Sequence, residues 1–231
     1  MGCYSVGRET IPSFRRGFML NTMSNNDEKH RQIKEYLWET WVKSDRYGES
    51  IVELDQWEIA GAKEVGERRW QNNQAAKTKG PNLNNKKNNT SARDVLGALG
   101  EMAAIKWLKM NGYEADMSSF NNVENRTSSE DSFDTDIVFE GESFSVEVKT
   151  TDKPLNSKLI YPLHKGKKKI QPDIFLLVSQ IDEKRHCIKG FTTSEKILNN
   201  IDDTLPNRAY SIHEKELEKD LDTILKEIKE K

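Results

Sequence analysis

The stretch FDTDIVFEGESFSVEVKT, residues 133–150, decides the fold we expect for this chain. It holds two apolar runs with the alternation typical of β-strands, and Glu140-Gly141-Glu142 between them has the composition of a turn. We therefore predict two antiparallel strands, over residues 133–140 and 143–150.

The second predicted strand has two chemically different faces, because alternate side chains of a strand share a face. One face points into a core and carries Phe144, Val146 and Val148. The other face carries Ser145, Glu147 and Lys149. A carboxylate and an ammonium group are thus expected side by side on a rigid strand.

The expected register brings a second carboxylate to this face. A two-residue turn at Gly141-Glu142 places Asp136 opposite Glu147. Two carboxylates at such a distance repel each other unless a cation lies between them, and hard oxygen ligands favour Mg²⁺ or Mn²⁺. Asp134 competes with Asp136 for this role. We prefer Asp136, which directly precedes the apolar run and pairs with Glu147.

A surface hairpin with an exposed Glu147–Lys149 charge pair is the structural alternative, and such pairs contribute little to stability. Glu101 argues for more than that. It lies at the edge of the apolar side of a predicted helix, where a carboxylate needs a partner to offset its desolvation. A metal ion held by Asp136 and Glu147 would be such a partner.

The other predicted elements extend outward from the hairpin. Apolar periodicity predicts helices over residues 27–42, 51–76, 92–111 and 213–231. Further strands are predicted over residues 113–117, 174–178 and 186–191, the last two pairing as a hairpin. In the helix over 92–111, Gly97, Ala98 and Gly100 form a slim stretch suited to close packing.

We divide the chain into four parts by composition and periodicity. Residues 1–26 form an expected disordered leader, 27–90 a helical arm with a basic loop, 91–200 the core, and 201–231 a C-terminal helix. One face of that helix, Leu217 to Ile228, is expected to dock on its own domain, with a homodimer seam as the alternative.

Composition excludes several classes of protein. With 36 basic and 38 acidic residues, the chain is not a uniformly basic protein that coats nucleic acid. Cys3 and Cys187 have no zinc spacing and are expected as reduced thiols in the cytoplasm. No run reaches the roughly 18 apolar residues of a membrane span, and no phosphate-binding glycine motif is present.

These elements in this order resemble the PD-(D/E)xK nuclease superfamily, which includes restriction endonucleases and Holliday-junction resolvases. The resemblance rests on Gly97-Ala98-Leu99-Gly100-Glu101, on Asp136-Ile137-Val138 and on Glu147-Val148-Lys149. It covers about residues 92–180, and residues 57–85 resemble the arm of phage-encoded members. No proline precedes the aspartate, which departs from the family pattern.

The resemblance implies an α/β fold, a restriction-endonuclease-like core with a central mixed β-sheet flanked by helices. It implies Mg²⁺, with Mn²⁺ as a substitute, bound by Asp136, Glu147 and the Val148 carbonyl, with Glu101 as a further acidic ligand. Lys149 would position the attacking water. It also implies the cytoplasm of a bacterial or phage-infected cell.

DNA is the expected partner, because basic residues flank the acidic segment. Residues 63–93 hold eight basic and two acidic side chains, whereas residues 114–147 hold ten acidic ones and a single arginine. Phosphate contacts are predicted for a set of lysines in two loops. They are Lys86, Lys87, Lys153, Lys165, Lys167, Lys168 and Lys169.

The sequence therefore predicts a Mg²⁺-dependent endodeoxyribonuclease that cleaves DNA with a metal-activated water. Two alternatives stay open. One is a catalytically inactive module of the same fold that binds DNA or assembles with other proteins, and the other is a restriction endonuclease with defined sites.

Overall fold

A computed structural model describes residues 50–77, 90–117, 120, 134–153, 157–162, 171–205 and 208–230. The predicted leader over 1–26, the predicted helix over 27–42 and the Asn-rich loop over 80–89 lie outside these residues. The described part of the chain forms strands and helices in mixed order. The strands are β1 Ile51–Glu53, β2 Glu114–Ala115, β3 Thr135–Phe139, β4 Glu142–Thr151, β5 Lys158–Pro162, β6 Ile174–Gln180, β7 Arg185–Thr193, β8 Ile201–Asp202 and β9 Ala209–His213. The helices are α1 Gln56–Lys77, α2 Ala92–Met110, α3 Ser194–Leu198 and α4 Leu221–Lys229, with a short 3₁₀ turn at Glu214–Glu216.

The strands form two sheets. The main sheet has the order β1-β7-β6-β4-β3-β2, and β5-β9-β8 form a small antiparallel sheet. Within the main sheet β4 and β6 run parallel, whereas the other neighbouring strands are antiparallel. The α/β class and the mixed sheet expected from the resemblance are confirmed, as is the hairpin of β6 with β7.

The two faces of the main sheet are covered differently. Helices α1, α2 and α4 cover one face, around a core that includes Leu99, Val148 and Leu225. The opposite face packs Phe175 and Leu177 against the small sheet and α3. Helices were expected to flank the sheet, and the small sheet on this second face was not predicted. It places a second layer of strands over the face that carries Glu147 and Lys149.

Two glycines allow close contacts between elements, one between α1 and α2 and the other between α2 and β4. A Cβ at Gly66 of α1 would lie 2.7 Å from the backbone nitrogen of Val95 in α2. A Cβ at Gly100 of α2 would lie 2.8 Å from the Cβ of Thr150 in β4. The slim stretch predicted in α2 is thus used at Gly100, whereas a Cβ at Gly97 would meet no atom within 4 Å.

The register of the β3–β4 hairpin differs from our prediction by two residues. Phe139 pairs with Glu142, so the turn is Glu140-Gly141, and Asp136 lies opposite Ser145 rather than opposite Glu147. Both turn residues have positive φ, 49° for Glu140 and 82° for Gly141, as a type I′ turn requires. The expected pairing of Asp136 with Glu147 was therefore wrong.

The C-terminal segment is helical over a shorter range than predicted. Residues 209–213 belong to β9, and α4 begins at Leu221, where the Asp220 carboxylate accepts a hydrogen bond of 3.2 Å from the Asp222 N–H. Leu221 and Ile224 are buried in the main core, which confirms docking on the same domain. This buried face is not available as a dimer seam. Within the described residues, no helix has the length and apolar character needed to span a membrane.

Candidate active site

Glu147 and Lys149 lie next to each other on β4, as the strand alternation predicted. Their side chains form an ion pair and are 15% and 28% exposed. The Lys149 ammonium also lies 5.9 Å from the centre of the Tyr161 ring in β5. The pair is therefore enclosed by the small sheet on one side, and it is more than an exposed charge pair on a surface hairpin.

The surroundings of Lys149 keep it charged. Burial lowers the pKa of its ammonium group, but the charge and hydrogen bond of Glu147 and the charge of Asp134 raise it further than burial lowers it. The net result is a pKa above the ordinary value for lysine. At neutral pH the side chain is consequently a cation that donates hydrogen bonds and is not available as a base.

Asp134 lies at the point where β3 begins. Its carboxylate accepts a hydrogen bond of 2.8 Å from the Val148 N–H, and its own N–H donates to the Val146 carbonyl at 3.1 Å. Buried backbone donors need acceptors, and here a side chain replaces the ladder of the neighbouring strand. Asp134 is only 7% exposed and interacts electrostatically with both Lys149 and Arg69.

Glu101 has a cationic partner from another helix. Arg69 of α1 donates two hydrogen bonds to its carboxylate, at 2.6 and 2.7 Å, and the two side chains are 10% and 7% exposed. Burial lowers the pKa of Arg69, yet the contacts with Glu101 and the charge of Asp134 raise it above its ordinary value. The sequence indicated that the Glu101 carboxylate needs a partner, and in this structure the partner is Arg69.

Arg69 was missed from the sequence, although a signal for it exists. Ala62, Gly66 and Arg69 recur at helical spacing, and the first two are buried. An arginine that continues such a stripe faces the neighbouring helix and needs a buried acid there. That acid is Glu101, which continues the buried stripe of α2.

Asp136, our preferred carboxylate, lies in a different environment. Its surface is largely exposed, but the desolvation of its carboxylate by nearby protein atoms and the charges of Asp116 and Asp173 raise its pKa. The carboxylate that lies against the Glu147–Lys149 segment is Asp134, the alternative that the sequence left open.

Of the lysines that we predict to contact DNA, only Lys153 lies within the described residues. Lys153 is exposed, just after β4, and its backbone carbonyl accepts hydrogen bonds from the Ser157 and Ser179 hydroxyls at 2.6 and 2.9 Å. These bonds hold the segment that carries its ammonium group. The remaining lysines lie outside the described residues, and they are Lys86, Lys87, Lys165, Lys167, Lys168 and Lys169.

The fit of a divalent cation depends on the donor set. Asp134, which accepts the Val148 N–H, and Glu147, which precedes Val148 in β4, supply hard carboxylate oxygens that suit Mg²⁺ in chemical type. Within the described ranges, however, no three His, Cys, Asp or Glu side chains form a group that could hold a metal ion. Glu147 is paired with Lys149 and Glu101 with Arg69, so a metal ion bound here would share Glu147 with the Lys149 ammonium group.

Comparison of the chain with known protein families, with curated proteins and with solved structures found no match.

Proposed function

We propose that this chain is a Mg²⁺-dependent endonuclease that hydrolyses phosphodiester bonds of DNA, built on a restriction-endonuclease-like core. The observation that carries the proposal is the cluster of Asp134, Glu147 and Lys149 at one end of the β3–β4 hairpin. Asp134 is bonded to Val148, the residue between the other two. Two carboxylates and an ammonium group in a partly enclosed site suit the handling of a phosphodiester.

The order of the elements also supports this fold. Helix α2 carries Glu101 and packs on β4, the antiparallel pair β3–β4 carries the cluster, and β6 adds to β4 in parallel. This is the arrangement of helix, hairpin and apolar strand on which the resemblance rests. The finer assignment to the restriction-endonuclease-like core is part of our proposal.

Each charged group receives a role from its surroundings. Asp134 and Glu147 would hold Mg²⁺, which supplies charge neutralisation and an acidified water when bound. Lys149 stabilises negative charge on the phosphate and orients water through the N–H groups of its ammonium, which lies beside Glu147. Glu101 and Arg69 hold the helix that borders the cluster and shape its electrostatic field.

The test is cleavage of supercoiled plasmid and of branched DNA with Mg²⁺, with EDTA as control. We expect Asp134→Asn and Lys149→Met to lower the rate by at least about a hundredfold. Asp136→Asn is the matched control, two residues further along the chain in β3, and is expected to stay within about twofold of the wild type. An inactive wild type, or equal loss in Asp134→Asn and Asp136→Asn, would contradict the proposal.

A second candidate function is DNA binding without catalysis. It is favoured by one observation, namely that Glu101 and Glu147 are each paired with a cation of the same chain. This candidate predicts salt-sensitive DNA binding that is indifferent to Mg²⁺ and to Lys149→Met.

Discrete DNA fragments in the cleavage assay would instead indicate a restriction endonuclease with defined sites.

A further inference from the structure

A polar cavity of about 300 Å³ lies between the C-terminal half of α1 and the first turns of α2. Its lining comes from both helices. The residues concerned are Arg69, Asn72 and Asn73 of α1 and Arg93, Asp94 and Gly97 of α2. Glu101, bonded to Arg69, completes the wall, so the cavity shares one ion pair with the candidate active site.

The charges lining the cavity sum to zero, since two arginines face one aspartate and one glutamate. A phosphate in this space would meet carboxylates as well as guanidinium groups, so the lining does not favour an anion. It favours a neutral ligand that carries both donors and acceptors. The edge of a nucleobase has this character, and arginine, asparagine and acidic side chains are the groups that recognise it.

The location of the cavity connects it with the proposed chemistry. Arg69 interacts electrostatically with Asp134, and Asp134 does the same with Lys149. Asp134 thus links the cavity wall to the candidate active site, because it interacts with Arg69 on one side and with Lys149 on the other.

We propose that this cavity holds one unpaired nucleobase of the DNA strand that lies in the active site. Unpaired bases expose the hydrogen-bonding edge that a mixed polar lining can read. The inference rests on the proposed function for the identity of the ligand, and it adds a base-binding subsite between α1 and α2.

Gly97 lines the cavity from α2. A Cβ at this position would meet no atom within 4 Å, so a larger side chain can enter the cavity without a clash at its Cβ. Gly97→Leu therefore fills the space from α2. Gly61→Leu is the matched control, because Gly61 is also helical, also has an open Cβ position, and lies in α1 away from the cavity.

The experiment measures fluorescence anisotropy with a labelled single-stranded oligonucleotide in EDTA, so that no cleavage occurs. A second probe has the same backbone with abasic sites in place of its bases. We expect the wild type to bind the natural probe at least about fivefold more tightly than the abasic one, as one recognised base allows. Gly97→Leu is expected to abolish this difference, whereas Gly61→Leu keeps it.

Asn73→Leu gives an independent check, since it narrows the cavity from the exposed surface of α1 and does not disturb the core. Equal wild-type affinity for both probes, or a base preference that survives both cavity substitutions, would overturn the inference. Because binding is measured without Mg²⁺, its outcome is separate from that of the cleavage test. A base preference lost in Gly97→Leu, in a protein that cleaves no DNA, would support the subsite and reject the nuclease.

Discussion

Gly100 of α2 lies directly against Thr150 of β4, so the helix that carries Glu101 rests on the strand that carries Lys149. Any side chain at position 100 would meet the Thr150 hydroxyl, methyl and Cβ atoms. This contact sets the distance between α2, which carries Glu101, and β4.

Gly100→Ala is expected to destabilise the protein by about 1–3 kcal/mol, the usual cost of overpacking. Gly97→Ala is its control, three residues away on the same helix with an open Cβ position. That change should be neutral or should stabilise the protein by up to about 1 kcal/mol, because alanine has a higher helix propensity than glycine. Urea unfolding of both variants checks the prediction, and equal stabilities would contradict it.

Arg69→Met is expected to cost about 3–5 kcal/mol, because it leaves the Glu101 carboxylate buried without its cation. The double variant Arg69→Met/Glu101→Met should recover much of this loss, since both buried charges are then removed. Arg68→Met is the control, because Arg68 forms only an exposed pair with Glu64 and should change stability by less than about 1 kcal/mol. Strict additivity of the two methionine substitutions in urea unfolding would refute the buried pair.

His186 predicts an acid-sensitive step in stability. It is fully buried, and within the described residues neither ring nitrogen has a hydrogen-bond partner. Burial lowers the pKa of His186 from 6.5 to about 4, with Asp182 opposing the shift. As the pH falls, the imidazole is therefore protonated in the unfolded chain before it is protonated in the folded protein. The free energy of unfolding decreases between about pH 6.5 and about pH 4, by about 3 kcal/mol in all. His186→Leu should remove this part of the loss in urea unfolding across that range, and an unchanged slope would contradict it.

Asp136 predicts the opposite dependence on pH. Its raised pKa means that the folded protein holds this proton more tightly than the unfolded chain, so ionisation of Asp136 destabilises the fold as the pH rises above about 4. Asp136→Asn should therefore stabilise the protein at pH 7, and this gain should disappear near pH 3. Thermal unfolding of the variant and the wild type at both values tests this, and a stability loss at pH 7 would reject the proposed repulsion from Asp116 and Asp173.

The features that sequence predicted well depend on short stretches of chain. The alternation of Phe144, Val146 and Val148 specifies a strand with one buried face, and it also places Glu147 and Lys149 together. The continuous apolar run of β6 likewise identified a strand buried on both faces.

The predicted register of the β3–β4 hairpin was wrong because the turn was placed one residue too far along the chain. A turn at Gly141-Glu142 has glycine first, whereas the protein uses Glu140-Gly141 and accepts positive φ at a glutamate. That single choice moved the partner of the Glu147 segment from Asp134 to Asp136. Pattern alone did not distinguish the two, because both aspartates precede the same apolar run.

The remaining features depend on residues far apart in sequence. Arg69 meets Glu101 only because Gly66 lets α1 approach α2, and the small sheet forms only when β5 finds β9. The helical spacing of Ala62, Gly66 and Arg69 indicates only that Arg69 faces another element, and nothing local in β5 indicates that β9 is its partner. Both contacts border the candidate site, and neither was predicted from the sequence.

The second layer of strands has a consequence for the order of folding. The Glu147–Lys149 pair sits within a hairpin, whose strands can meet by closing a two-residue loop. Tyr161, beside Lys149, is fixed by pairing with Tyr210, which requires a far longer loop to close. The Glu147–Lys149 pair can thus form early in folding, whereas Tyr161 packs beside Lys149 later. A refolding experiment should detect native strand content before Lys149 becomes protected from amine-reactive labels.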